Sequence, residues 1–200
     1  MELQNFYWYF EKAIPIKICD DIIKFANKKN AETAITGDIN KKNSTTQQLE
    51  KSKKIRKSNV VWLDEQWIYN LIIPFINTAN KNAGWNFEVD WVETTQFTIY
   101  KKGQHYDWHK DQHVINTNQK IRKLSLSINL TDAKNYKGGE FEFCFKNERP
   151  GQKDKIHVCK ELESKGSLIV FPSFIWHRVK PVTKGTRFSL VAWNSGPLYR

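Results

Sequence analysis

The chain reads as a mainly β protein, a jelly-roll-like core with a layer of N-terminal helices packed on it. After Gly84 the sequence breaks into eight short β-like segments, at 88–100, 105–110, 122–130, 139–145, 155–159, 167–171, 175–179 and 186–194. Turn signals separate them: Lys102-Gly103, Lys137-Gly138-Gly139, Pro150-Gly151, Lys165-Gly166 and Lys184-Gly185. Many short strands at this spacing indicate a sandwich or barrel. Before Gly84 the texture differs, because two stretches carry helical periodicity instead.

In order along the chain, residues 6–10 (FYWYF) are rich in aromatics that favour a strand. Pro15 then opens a helix in which Ile18, Ile22 and Phe25 recur at near-helical spacing. Glu32 to Ile35 suits a short strand. Residues 37–58 are polar and rich in Lys, Asn, Ser and Thr without periodicity, which predicts a long mobile loop. Val60 to Leu63 returns to an apolar strand. From Asp64 to Ala83 a second amphipathic helix is marked by Trp67, Leu71, Ile72, Phe75 and Ile76, with an interruption or bend expected at Pro74. Neither an internal repeat nor a linker stands out. The expectation is one domain over 1–200, with residues 1–87 as its helical layer and 88–200 as its β core.

Composition bounds the function classes. Apolar content of 40%, with 14% aromatics, fits a packed protein rather than a disordered one. There is no run of about 18 apolar residues to span a bilayer. The first residues lack the basic and then apolar pattern of a secretion signal. Three cysteines, Cys19, Cys144 and Cys159, show no CxxC spacing, so a reduced, cytoplasmic setting is expected. A net charge of +11 invites a nucleic-acid partner. However, 26 of the 32 basic residues are lysine, a balance that also follows from Lys-rich, solvated surface. Segment 41–57 is the exception, with Lys41, Lys42, Lys51, Lys53, Lys54, Arg56 and Lys57 against Glu50 alone.

The chemistry centres on Tyr100 to Asp111. Residues two apart in a strand share a face, so His109 and Asp111 project side by side while Lys110 turns away. An imidazole and a carboxylate on one face make two thirds of the 2-His-1-carboxylate triad that suits open-sited Fe(II). HxD alone is weak. For the third ligand, His157 sits among lysines, whereas His177 follows the apolar run from Leu168 to Phe171 and its Pro turn, so His177 is favoured. The stretch from His177 to Arg187 reads as strand, turn near Val182, strand, and antiparallel pairing would bring Arg187 across from His177. Arg187 shares a face with Ser189, Val191 and Trp193, which makes Ser189 and Trp193 candidates for an outer shell of the site. An inward Arg on an apolar strand demands an anion, and its fork suits a carboxylate. A 2-oxo diacid would chelate the iron at one end and reach Arg187 with the other. His105, His109 and His113 stand four apart, as zinc ligands on a helix would, but Gly103 and the β-rich context disfavour a helix there. His105, His113 and His157 are expected at the surface.

From about Arg56 to Trp193 the chain resembles the 2-oxoglutarate/Fe(II) oxygenase superfamily, in its prolyl 4-hydroxylase-like (PKHD-type) branch. The pattern Y-x-x-G-x-x-Y-x-x-H-x-D is met by Tyr100, Gly103, Tyr106, His109 and Asp111. Similar too are S-L-S-I-N-L at 125–130, G-G-E-F at 138–141, G-S-L-I-V-F-P-S at 166–173, and the run from His177 to Arg187. The resemblance implies a double-stranded β-helix with iron on His109, Asp111 and His177 and 2-oxoglutarate on Arg187. It also implies contact of Tyr100 with the co-substrate. O2 would be consumed, 2-oxoglutarate would become succinate and CO2, and ascorbate is an expected reductant. A peptide or protein substrate, a prolyl residue above all, is the implied target. Nucleic acid bound through 41–57, a small metabolite, and a silent binding module of the same shape are the alternatives.

Overall fold

The computed structural model describes residues 3–34, 45–115 and 119–199. Fifteen strands lie in the chain order β1 Trp8–Phe10, β2 Glu32–Thr33, β3 Arg56–Lys57, β4 Asn59–Leu63, β5 Trp91–Val92, β6 Thr95–Lys101, β7 His105–His109, β8 Val114–Ile115, β9 Lys120–Asn129, β10 Tyr136–Gly138, β11 Phe141–Cys144, β12 His157–Val158, β13 Leu168–Pro172, β14 Trp176–Val179 and β15 Val182–Gly196. Helices α1 (Ile16–Ala26), α2 (Thr46–Ile55) and α3 (Gln66–Asn82) all precede β5.

All strand pairs are antiparallel and form two sheets. The larger runs β1-β13-β9-β15-β6-β4-β2, with β5 and β10 also on β15 and β8 on β9; the smaller runs β12-β11-β14-β7-β3. This is the double-stranded β-helix architecture. N-terminal strands β1, β2 and β4 extend the large sheet, and β3 ends the small one.

Strand alternation divides the large sheet's two faces. Phe97 and Ile99 of β6, Leu124, Leu126 and Ile128 of β9, and Leu190 and Ala192 of β15 join one apolar cluster with Ile22 of α1 and Ile68, Ile72 and Ile76 of α3. The helices therefore cover the outer face. A second cluster, including Tyr100, Phe141, Phe143, Phe171, Val179 and Val182, fills the seam between the sheets.

Three expectations are corrected. Residues 46–55 of the expected loop form α2 instead. It starts at a capping box in which Thr45 Oγ1 accepts from the Gln48 N–H and Gln48 Oε1 accepts from the Thr45 N–H. Arg56 and Lys57 of that loop form β3, and its residues 37–44, with Lys41 and Lys42, lie outside the described residues. Helix α3 is not interrupted at Pro74, because Ile72 and Ile76 on either side are fully buried and their packing outweighs one lost backbone bond. Its buried stripe is Ile68, Ile72, Ile76 and Ala79, and Trp67 lies on the outer side. Lastly, β14 and β15 do not pair as a hairpin. They belong to opposite sheets, so Arg187 lies beside Tyr100 of β6 and not beside His177. Pro181, which has no N–H to donate, stands where the chain crosses.

Among the described residues no helix is long and apolar enough to cross a membrane. All three cysteines are free and buried.

Candidate metal and co-substrate site

Two adjacent strands of the small sheet bring the imidazoles together, since His109 of β7 and His177 of β14 are direct cross-strand partners. Asp111 follows β7, and its backbone N–H bonds to the Ser173 carbonyl at 2.9 Å. The three side chains converge, with potential donor atoms all within 4.8 Å of one another. His109 Nε2 stands 3.6 Å from Asp111 Oδ1, and His177 Nε2 stands 3.4 Å from Oδ2.

The hydrogen bonds set the tautomers. His109 Nδ1 lies 2.8 Å from the Asp107 carbonyl, and His177 Nδ1 lies 2.9 Å from the Ile175 carbonyl. A carbonyl only accepts, so each Nδ1 is the donor and each Nε2 is turned toward Asp111. Burial, with the neighbouring His177, pushes the His109 pKa well below its ordinary value and keeps that ring neutral. Burial alone would raise Asp111, but the neighbouring His177 and His109 outweigh it and hold the carboxyl well below the usual range. A cation held between the three groups would be bound by all of them. The donor set is two imidazole nitrogens and one carboxylate oxygen, which fits Fe(II) with coordination positions to spare.

Second-layer contacts hold these groups still. Ser125 Oγ donates to Asp111 Oδ2 at 2.8 Å and is 2.9 Å from Ser173 Oγ. Tyr106 stacks on His109, and Phe141 stacks on His177, with Phe171 edge-on to the latter ring. Residue Ser125 was not singled out in the sequence. Its signal was the alternation of Ser125, Ser127 and Asn129 with Leu124, Leu126 and Ile128, which puts small polar side chains on the site face of β9.

The opposite wall comes from the large sheet. Arg187, Ser189, Val191 and Trp193 of β15 line the same pocket as Tyr100, Arg56 and the three ligating candidates. Arg187 is 2% exposed, and its Nη1 has no hydrogen-bond partner among the described residues. Its guanidinium carbon lies 5.8 Å from the Tyr100 ring centroid. Burial pushes the Tyr100 phenol up, against the pull of Arg56 and Arg187, so it remains a neutral hydrogen-bond donor. Gly139 supplies the space beside Arg187. At its φ of +71° a Cβ would meet Val182 Cγ2 at 3.0 Å and Arg187 Cδ at 3.1 Å. A buried, half-satisfied guanidinium facing a three-donor cluster is the cradle that a diacid chelator would fill.

A family model for the 2OG-Fe(II) oxygenase superfamily matches residues 95–195, half of the sequence. The chain belongs to that superfamily. The matched stretch contains all three ligating candidates, Tyr100 and Arg187. Curated relatives of the chain include a PKHD-type hydroxylase of Gloeothece citriformis, 33% identical over 102 residues (51% of this chain, 42% of the relative). Another, from Prochlorococcus marinus, is 27% identical over 146 residues (73% and 57%). The match thus spans roughly half the length of these relatives. Two solved structures share the fold. A Pseudomonas putida prolyl-4-hydroxylase has a TM-score of 0.68 at 16% identity, covering 96% of this chain and 92% of its own. A Trichoplax adhaerens prolyl hydroxylase, bound to a hypoxia inducible factor peptide fragment, has 0.68 at 15%, covering 96% and 84%.

Other histidines stand apart from this centre. His105 is on strand β7, which excludes the helical His face, and its Nε2 donates to the Lys54 carbonyl at 3.0 Å. His113 Nδ1 lies 3.1 Å from the Asp111 carbonyl. His157 is half-buried rather than a surface residue, and its Nε2 is 2.9 Å from Tyr7 Oη. In the basic segment, Lys51, Lys54 and Lys57 are exposed and Lys53 pairs with Glu50, but Arg56 is buried.

Proposed function

We propose that the chain is a one-domain 2-oxoglutarate- and Fe(II)-dependent hydroxylase acting on a peptide or protein. The observation that carries this reading is the meeting, in one pocket, of a converged His109–Asp111–His177 donor set and the Arg187 guanidinium, whose Nη1 has no hydrogen-bond partner among the described residues. His109, Asp111 and His177 would hold the iron. Arg187 would take the distal carboxylate of 2-oxoglutarate, with Tyr100 donating a hydrogen bond beside it. When bound, iron, 2-oxoglutarate and O2 supply the oxidation that turns a C–H bond into C–OH while 2-oxoglutarate becomes succinate and CO2.

The chain's own residues do the positioning. The carbonyls of Asp107 and Ile175 fix both Nε2 lone pairs on the metal side. Ser125 orients the Asp111 carboxylate. The aromatic wall of Tyr106, Phe141 and Phe171 keeps water from the reacting centre. The hydroxylase activity is supported by the PKHD-type relatives, and the peptide class by the peptide-bound prolyl hydroxylase of the same fold.

The test incubates the purified chain and a peptide-rich lysate fraction with Fe(II), 2-oxoglutarate and ascorbate. Succinate should form in step with a +16 Da product on a peptide, and both should need iron. Succinate without any modified peptide, or a product confined to nucleotides or small metabolites, would reject the peptide assignment. No iron-dependent succinate under any condition would reject the enzyme.

A further inference from the structure

Arg56 is a second buried guanidinium in the same pocket, and neither the metal nor the co-substrate accounts for it. It is 7% exposed and lines the pocket together with Tyr106, His109 and Arg187. Its Nε donates to Ser58 Oγ at 3.0 Å, and its carbon stands 4.6 Å from the Tyr106 ring centroid, so the group is oriented from two sides. Its Nη2 is sealed from solvent and has no hydrogen-bond partner among the described residues. A buried donor of this kind is costly unless a ligand satisfies it.

Charge counting indicates which ligand. With the site loaded, the two positive charges of the ferrous ion and the one on Arg187 match the single charge of Asp111 and the two of the 2-oxoglutarate dianion. Arg56 is then left over, one positive charge in a buried pocket. Of the lining side chains only Asp111 is a carboxylate, and it faces the imidazoles. The surroundings agree in sign. Strand β3, which carries Arg56, ends the small sheet, and the exposed Lys51, Lys54 and Lys57 lie close to Arg56 in the chain. A local excess of positive charge attracts anions.

We infer that Arg56 is the substrate-anion site: it pairs with one carboxylate of the substrate and so selects peptides carrying an Asp or Glu close to the hydroxylated residue. Ser58 holds the guanidinium with its free edge toward that carboxylate, and Tyr106 backs its face. This rests on the peptide-hydroxylase reading above for the identity of the substrate, while the anion site itself is testable without turnover.

The experiment uses the full chain loaded with Mn(II) and N-oxalylglycine, which fill the metal and co-substrate positions without reaction. Propionate and propionamide, matched in size and differing in charge, are then titrated by tryptophan fluorescence. Wild type should bind propionate saturably and at least about tenfold more tightly than propionamide, the worth of a charge-assisted contact. Arg56→Gln should erase that difference, Arg56→Lys should keep part of it, and N-oxalylglycine should bind all three alike. Equal binding of the two probes by wild type overturns the inference. So does a preference that survives in Arg56→Gln, or weakened N-oxalylglycine binding in that variant, which would make Arg56 part of the co-substrate site. If Arg56→Gln does not fold, Arg56→Met keeps the apolar stem and is read the same way, and the wild-type contrast stands without either variant. Screening a capped random tetrapeptide pool for +16 Da products separates the two claims. Arg56-dependent propionate binding with no peptide product rejects the peptide class but keeps the anion site. Products without enrichment in Asp or Glu reject the selection of acidic peptides by Arg56 but keep the enzyme.

Discussion

Replacing Arg187 with Met should make the ligand-free protein more stable and nearly blind to 2-oxoglutarate. Arg187 is 2% exposed, its Nη1 lacks a partner, and Tyr100 offers only a ring 5.8 Å away. In the absence of co-substrate a positive charge is therefore buried with little compensation. Exchanging such a charge for an apolar side chain of similar volume stabilises by about 1–4 kcal/mol. For a chain of 200 residues, each kcal/mol raises the unfolding midpoint by about 2–4 °C.

Binding moves the other way. Losing a desolvated guanidinium–carboxylate pair costs about 3 kcal/mol, or roughly 150-fold in affinity. At a concentration 100 times the wild-type Kd, 2-oxoglutarate adds about 2.7 kcal/mol to wild type but only about 0.3 kcal/mol to the variant. Thermal unfolding of the Mn(II)-loaded proteins with and without 2-oxoglutarate reads both effects. The two should converge: the variant unfolds above wild type without ligand, and that lead shrinks by about 2.4 kcal/mol once ligand is present. A variant that starts lower, or that keeps the full ligand-induced shift, refutes the assignment of Arg187 as the co-substrate anchor.

Further outcomes follow from the same geometry. Asp111→Ala should abolish Mn(II) binding measured by calorimetry, a larger loss than the roughly 10–100-fold that an outer-shell partner is worth. Ser125→Ala, which removes the 2.8 Å bond to Asp111 Oδ2, should fall within that range and leave the unfolding midpoint of the metal-free protein nearly unchanged. Gly139→Ala should weaken 2-oxoglutarate far more than Mn(II), because the new Cβ presses on Arg187 Cδ and not on the metal ligands; equal losses would count against the cradle. Chelation with EDTA should remove the 2-oxoglutarate shift along with the metal, since one end of the diacid then has nothing to bind.

Much of the site could be read in one dimension because it is written in strand alternation. His109 and Asp111 are two apart, and Arg187, Ser189, Val191 and Trp193 follow the same period; all of them line the pocket. Alternation reveals which face a residue takes but not which strand lies beside it, and so the His177–Arg187 hairpin was misplaced. The two residues line one pocket from opposite sheets. Helix α2 escaped notice for a different reason. It has no apolar stripe, and its one local signature is the Thr45–Gln48 capping box in a run otherwise typical of a loop. Arg56 was hidden in that same basic run, where a buried guanidinium and a solvated lysine look alike.

The seam also explains why stability and binding should separate along a single strand. On β9, Leu124, Leu126 and Ile128 pack in the helix-side cluster, while Ser125 bonds to Asp111 and Ser127 lines the pocket. Leu124→Ala should then cost about 2–5 kcal/mol of folding stability, as a fully buried leucine does, and leave the metal affinity of the folded protein nearly intact. Ser125→Ala, one residue away, should do the reverse. Were both changes to shift metal affinity alike, the two faces would be mechanically coupled, and the site would depend on the helical layer rather than on the two sheets that enclose it.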